Sequence, residues 1–310
     1  MVRVLRSPLD SLSCTLLPAS CSLCGSPLPQ LSSVPICAVC WTEIPALSGA
    51  ACARCGDGIK EGATPSRSAV CRVCRLVTPP FERAVAFGLY QGRMRDAIHA
   101  LKYDRIRGVG SELGRMLAEA IAKLAGEAPQ EMLVVPVPLH RAKYAERGFN
   151  QARVLASEAL RFLSASHPDW KLTLAASTLM RLRATQSQAG LTPRERRLNL
   201  KGAFSVSDAA RVKSRHILLI DDILTTGATA RAAAKALVDA GAESVWVATL
   251  ARARRVAGSG VASIYMDRDD DALDKDDDVA DVGQGLVGAT GSAGFNAVSS
   301  GGSELRQPSF

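Results

Sequence analysis

Aromatic residues are scarce: three Trp, four Tyr and seven Phe make up 5% of the 310 residues. Proteins that bind single strands without sequence preference stack bases on such rings. The scarcity therefore counts against a dedicated stacking surface and leaves Trp41, Tyr103, Tyr144 and Phe149 as the few candidates. Any binding of single-stranded DNA would then be mostly electrostatic and would weaken steeply as salt rises. Long apolar runs are missing as well. No segment is long enough to span a bilayer, and the opening MVRVLRSPLDSLSCTLLPAS never builds the sustained apolar core of a secretory signal. The expectation is a cytoplasmic chain without membrane insertion. His99 and His140 have no evident carboxylate partner in sequence, so neither is assigned a catalytic role.

Charge is unevenly spread. The formal net charge is +8, yet residues 267–281 hold nine aspartates against Arg268 and Lys275, a net of −7 that leaves +15 on the remainder. A Gly/Ser/Ala-rich stretch then runs to Phe310, and little in it can bury apolar surface. The basic excess favours a polyanion such as nucleic acid, and a site for a highly charged pyrophosphate also accounts for part of it. The acidic run has two readings: a solubilising tail, or an internal competitor for DNA on the basic face.

Cysteine is plentiful and ordered. Eight of the nine form four CxxC pairs, Cys21/Cys24, Cys37/Cys40, Cys52/Cys55 and Cys71/Cys74, and Cys14 stands apart as incidental. A CxxC turn aims two thiolates at one cation, and two such turns complete a tetrahedral zinc site. Cys-Ser-Leu-Cys-Gly at 21–25 is echoed by Cys-Ala-Arg-Cys-Gly at 52–56, so the region reads as two tandem ribbons. The preferred ligand sets are Cys21, Cys24, Cys37, Cys40 and Cys52, Cys55, Cys71, Cys74, with a crossed pairing left open because spacing does not fix it. Four thiolates leave no open coordination position, so such zinc is structural. Disulfides fit poorly in a chain without a secretory signal.

The most specific motif is Ile217 to Thr229, ILLIDDILTTGAT. Four apolar residues suit a strand buried on both faces of a parallel sheet. Asp221 and Asp222 then sit at its carboxyl end, where ligands bind in open α/β sheets. Thr225, Thr226, Gly227, Ala228 and Thr229 supply hydroxyls, successive amides and a glycine that admits a phosphate closely. Ala230, Ala233, Ala234 and Leu237 recur at helical spacing, with Gly241 placed to cap the end. Two carboxylates for vicinal sugar hydroxyls beside a phosphate loop describe a sugar-phosphate site. The bland reading, in which the two aspartates merely cap a turn, does not explain the ordered set around them.

Two further blocks are basic. Val134 to Gln151, VVPVPLHRAKYAERGFNQ, reads as a strand stopped by Pro136 and Pro138, a basic turn, and a helix capped by Asn150 with Leu155, Ala159 and Phe162 on one face. Arg141, Lys143 and Arg147 gather there, suited to a pyrophosphate or to a solvated turn. Leu179 to Phe204 contains Arg181, Arg183, Thr185, Gln188, Arg194, Arg197 and Asn199 and reads either as a loop that closes over a reacting centre or as an exposed linker.

The thirteen-residue motif resembles the signature of type I phosphoribosyltransferases. The resemblance implies that Asp221 and Asp222 hold the ribose hydroxyls of phosphoribosyl pyrophosphate, bound with Mg²⁺, and that Thr225 to Thr229 cradle its 5′-phosphate. It also implies roles for Arg147 and Arg183 at the reacting centre. The three blocks in this order, preceded by Ala100-Leu101-Lys102-Tyr103, are similar to the ComF family across roughly Cys21 to Arg254. Lys143 stands where that family usually has arginine, and the carboxyl-terminal extension is longer. Membership implies an α/β type I phosphoribosyltransferase fold, a parallel sheet flanked by helices and preceded by a small double zinc ribbon. It further implies DNA uptake or nucleotide metabolism, with single-stranded DNA, a competence helicase or other DNA-processing proteins as partners.

Length and 47% hydrophobic content allow one such domain plus a metal domain. The expected division is a leader at 1–14, the ribbons at 15–80, the phosphoribosyltransferase-like domain at 81–256 and the tail at 257–310. Residues 81–90 read as a strand, and stripes at Met94, Ala97, Ile98, Leu101 and at Leu113, Met116, Leu117, Ala120, Ile121, Leu124 as core helices. Three functions stay open: an active phosphoribosyltransferase, a binding module that keeps the phosphoribosyl site, and a scaffold working through its ribbons. Nothing in the sequence names an acceptor base.

Overall fold

A computed structural model of the chain describes residues 19–28, 34–59, 69–103, 108–183 and 202–254. Cys14, the leader, the acidic and Gly/Ser-rich tail, and Thr185, Gln188, Arg194, Arg197 and Asn199 of the third block lie outside the described residues. Five strands, β1 (Ala84–Leu89), β2 (Glu131–Pro136), β3 (Lys171–Leu174), β6 (His216–Leu224) and β7 (Ser244–Arg252), form one parallel sheet in the order β1-β7-β6-β2-β3. Two short strands, β4 (Leu179–Arg181) and β5 (Phe204–Val206), pair antiparallel beside it.

The apolar run in β6 does what its composition predicts. Ile217, Leu218, Leu219 and Ile220 are all 0% exposed, which only a central strand covered on both faces achieves. Leu218 and Ile220 enter one core with α3 (Gly92–Lys102), α4 (Val109–Ala122) and α6 (Gln151–Ser166). Ile217 and Leu219 enter the other with α7 (Ala228–Asp239). Helices α4 and α6 meet at bare backbone: a Cβ on Gly114 would stand 2.2 Å from the Cβ of Glu158 and 3.1 Å from its carbonyl carbon. Glycine there permits the close approach.

Topology then places a crevice. From β2 the chain crosses to β3 on one side, and from β6 it crosses to β7 on the other. Adjacent β2 and β6 therefore flank the switch point of the sheet, and ligands bind outside the carboxyl ends of strands at such a point. Pro136 ends β2 opposite Ile220, so Asp221 and Asp222 begin where β2 has stopped.

Three expectations need correction. The first strand starts at Ala84 rather than at residue 81. The basic turn after β2 is a seven-residue helix, α5 (Arg141–Arg147), with no buried residue and therefore no apolar stripe to betray it. The third block is not loop at its ends, because Leu179–Arg181 and Phe204–Val206 hydrogen-bond as a ladder. Other details follow the sequence: the Asn150 side chain accepts from the amides of Ala152 and Arg153, capping α6. Gly241, at φ +95°, ends α7 with its amide bonded to Val238.

The amino-terminal region is a structural repeat. In each half an isolated bridge (Ser20 with Pro27, Ala51 with Gly58) closes the first knuckle, and a short helix carries the last thiol, α1 (Ala38–Thr42) or α2 (Arg72–Leu76). The first half is seated on α3 and β1, where the amide of Leu47 bonds the carbonyl of Phe87 and Arg93 reaches Glu43 and the Leu23 carbonyl. The second sits on the start of β1, where the Ala84 amide bonds the Arg54 carbonyl. A Cβ on Gly56 would come within 2.7 Å of the Ala84 oxygen.

Candidate functional site

Strand β6 delivers the acidic pair to the crevice. Strand alternation sends Asp222 to the face of Leu218 and Ile220. There Lys102, the last residue of α3, forms an ion pair with its carboxylate, both side chains being largely buried. Burial opposes the charge on Asp222, but Lys102 and a hydrogen bond from Asp221 outweigh it, so the carboxyl sits below the usual range. Asp221 is half-buried just past the point where β2 stops, and β6 runs on beside β7 to Leu224, beyond the carboxyl end expected at the acidic pair. Burial and the neighbouring Asp222 charge push its carboxyl well above the ordinary value. The pair thus combines a carboxylate favoured by Lys102 with a neighbour whose ionisation burial and Asp222 disfavour. Lys102 is the principal residue that the motif reading left without a role. Its only sequence signal was the Ala-Leu-Lys-Tyr run, and its partner lies far along the chain.

The loop after β6 has the geometry its composition suggested. Gly227 adopts φ +79° and is the N-cap of α7, while the Thr226 hydroxyl accepts from the Ala228 amide at 3.3 Å. A left-handed residue directly before a twelve-residue helix turns successive amides toward one point and adds the positive end of the helix. Thr225, Thr226 and Thr229 are half-buried and rim that point.

Of the two arginines expected at the reacting centre, Arg147 is brought close to Lys102. It ends α5, donates to Gln151 at 2.9 Å, and lies 5.2 Å above the ring of Tyr103, next to Lys102. Its charge is felt by Lys102. Arg183 lies exposed beyond the end of β4, while Arg181, within that strand, is a residue of the block that interacts electrostatically with Asp221. Arg181 packs 5.6 Å from the Phe204 ring, and burial draws its guanidinium below the usual value while Asp221 partly restores it. Arg141 is exposed at the start of α5, and Lys143 is half-buried, as Arg147 is. Of the four ring candidates, Phe149 is buried and Trp41 packs against the core, whereas Tyr103 and Tyr144 are 40% and 50% exposed. The histidines have local duties. His140 caps α5 and His99 bonds the Tyr90 hydroxyl at 3.2 Å.

The thiols gather in sequential sets. In Cys21, Cys24, Cys37, Cys40 and in Cys52, Cys55, Cys71, Cys74 all sulfur atoms lie within 4.8 Å of one another, and no disulfide joins them among the described residues. Four sulfurs at about 2.3 Å from one tetrahedral centre are about 3.8 Å apart. The observed 3.8 Å (Cys21 to Cys40), 3.7 Å (Cys24 to Cys37) and 3.7 Å (Cys55 to Cys71) fit that tetrahedron. Backbone amides point at sulfur identically in both sets, Cys37 to Cys21 and Cys71 to Cys52, each at 3.3 Å. Hydrogen bonds from Cys55 and from backbone amides bring Cys52 down to about 4, against burial, while burial lifts Cys74 to about 11.

Comparison with known proteins agrees with this geometry. A model of the phosphoribosyl transferase domain matches residues 145–276, and a model of the double zinc ribbon domain matches residues 12–75. The chain is 32% identical over 237 residues to the DNA utilization protein YhgH of Escherichia coli (strain K12), covering 76% of this chain and 97% of that protein. It is 28% identical over 234 residues to competence protein F of Haemophilus influenzae, covering 74% and 90%. Against competence protein ComFC of Bacillus subtilis (strain 168) it is 28% identical over 225 residues, covering 70% and 84%. The expected architecture, a phosphoribosyltransferase-type parallel sheet flanked by helices behind a double zinc ribbon, is the one present.

Proposed function

Because the chain belongs to the ComF family, with competence protein F, ComFC and YhgH, we propose that its switch-point crevice binds phosphoribosyl pyrophosphate with Mg²⁺. In this reading Asp221 and Asp222 accept from the ribose hydroxyls, and Thr225 to Thr229 donate to the 5′-phosphate. Arg147 and Arg181 flank the pyrophosphate. Magnesium bound with the ligand would supply positive charge against the leaving pyrophosphate, with the Asp221 and Asp222 carboxylates the acidic groups beside it. Transfer would break the bond from C1′ to the pyrophosphate oxygen, with the electron pair leaving on pyrophosphate. A nitrogen lone pair would form the new bond and release its proton to solvent. The observation that carries the reading is the union of an acidic pair, one member charge-balanced by Lys102, with a left-handed glycine opening a helix at a topological switch point.

Calorimetric titration of Mg²⁺ with phosphoribosyl pyrophosphate tests it. Saturable binding by the wild type, lost in the Asp221→Ala/Asp222→Ala double variant, is the expected result. No heat from the wild type, or equal binding by both, refutes it.

Work on DNA in the cytoplasm, with zinc in both ribbons, completes the proposal. Its support is the names of the relatives, the +15 outside the acidic run and the thiol tetrahedra. Among the described residues no helix is long and apolar enough to cross a membrane. A second reading, a non-catalytic grip on single-stranded DNA, has one observation in its favour: the exposed ring of Tyr103 lies under Arg147, and exposed Tyr144 shares its short helix with Arg141, Lys143 and Arg147. DNA affinity that survives the double Asp change and falls with salt would favour it.

A further inference from the structure

Arg252, the last residue of β7, is 2% exposed and donates to the carbonyls of Leu224 at 2.8 Å and Thr225 at 2.6 Å, the two residues that lead into the phosphate loop. The same guanidinium faces the Asp57 carboxylate at 3.5 Å. Asp57 lies two positions beyond Cys55, in the turn where its own carbonyl accepts from the Cys52 amide at 2.7 Å. Arg231, in the first turn of α7, reaches back from the other end of the loop to the Val77 carbonyl at 3.3 Å and toward the Cys74 sulfur at 3.9 Å. The phosphate loop is thus bracketed by two arginines, and both are tied to the second thiol set. The first ribbon is secured elsewhere, to α3 through Arg93 and Glu43 at 3.0 Å.

We propose that Arg252 is a positioning residue for the phosphate loop and that the second ribbon, through Asp57, holds it in place. The proposal rests on the phosphoribosyl pyrophosphate reading above. Both bonds come from Nη1, held in the rigid plane of the guanidinium, so gripping two consecutive carbonyls sets the direction of the peptide units that follow, whose amides would face the phosphate. Burying that cation requires a counter-charge. Asp57 supplies it only while the knuckle around Cys52 and Cys55 is closed. A metal ion in the second set closes that knuckle, so metal occupancy and sugar-phosphate affinity are coupled. By reciprocity, bound phosphoribosyl pyrophosphate tightens metal binding in the second ribbon and not in the first.

The test uses the full chain with Asp57→Asn, Arg252→Lys and, as control on the first ribbon, Glu43→Gln. Three quantities are read: zinc per chain, affinity for Mg²⁺ with phosphoribosyl pyrophosphate, and amide hydrogen exchange at residues 225–229 without ligand. Asp57→Asn and Arg252→Lys should each keep wild-type zinc, bind about tenfold more weakly and exchange faster at 225–229. Glu43→Gln should match wild type in all three. Wild-type exchange and affinity within twofold in both loop-side variants, or an equal loss in Glu43→Gln, overturns the proposal. If the wild type binds no phosphoribosyl pyrophosphate, the proposed function falls by itself. The ligand-free exchange then decides the tether alone: faster exchange in Asp57→Asn and Arg252→Lys upholds it, and unchanged exchange overturns it.

Discussion

Replacing Lys102 with methionine keeps an unbranched stem and removes the charge, leaving Asp222 buried without its cation. Two opposite charges in contact interact by about 4 kcal/mol at an effective dielectric of about 20. Breaking a buried pair from one side typically costs about 3–5 kcal/mol because the survivor stays desolvated. Urea unfolding at pH 7 should therefore show Lys102→Met less stable by about 3–4 kcal/mol. Asp222→Asn in the same background should recover most of that loss, since two neutral partners need no pairing. The pH dependence is fixed in sign. The Asp222 carboxyl lies below its usual range when Lys102 is present, so it adds stability above the unfolded carboxylate value, about 3.9, that disappears as pH falls. The deficit of Lys102→Met should consequently shrink toward pH 4. A loss below about 1 kcal/mol at pH 7, or strict additivity of the two changes, would show that the pair is screened by water and that Asp222 needs no partner.

Three other outcomes follow from the geometry. Asp221 is held above its ordinary range by burial and by Asp222, so ionising it costs the folded state as pH rises through the unfolded value. Asp221→Asn should raise the melting temperature at pH 7, with a gap that closes in acid, while weakening binding of phosphoribosyl pyrophosphate; a lower melting temperature at pH 7 contradicts it. Elemental analysis should find two zinc ions per chain and one after either Cys37→Ser or Cys71→Ser; loss of both from a single change would mean a shared site rather than two tetrahedra. Gly114→Ala should destabilise by about 1–3 kcal/mol through overpacking against the Glu158 backbone. That sign opposes the gain of about 1 kcal/mol that helix propensity alone would give, so a stabilised variant would disprove the close contact of α4 and α6.

Legibility in the sequence tracked locality. The run Ile217 to Ile220 could be read as a doubly covered strand because burial on both faces demands unbroken apolar residues, and Gly227 and Asn150 could be read because their conformations are local. The paired CxxC turns disclosed the thiol sets for the same reason. Helix α5 was missed because all seven of its residues are at least partly exposed, and a helix that buries nothing writes no periodic pattern. The β4–β5 ladder was missed because strands of three residues, one ending in arginine, fall below the length at which alternation is visible. Most of what tunes the candidate site was also hidden. Lys102 with Asp222, Arg181 with Asp221, and Arg252 with Asp57 meet only through tertiary structure, and no local spacing encodes such meetings.

Strand β1, on which both ribbons are seated, has β7 as its neighbour in the sheet, and β7 is the last strand among the described residues. A nascent polypeptide therefore exposes its complete thiol sets while their platform is still unmade. At about 5–20 residues per second the interval from Cys74 to Arg252 lasts on the order of 10–40 s. Loops closed by short knuckles need no such platform to capture a cation. Metal acquisition is placed at the beginning of biogenesis and docking at its end, so a cell short of zinc would release chains whose enzyme-like half has finished folding against unclosed thiols.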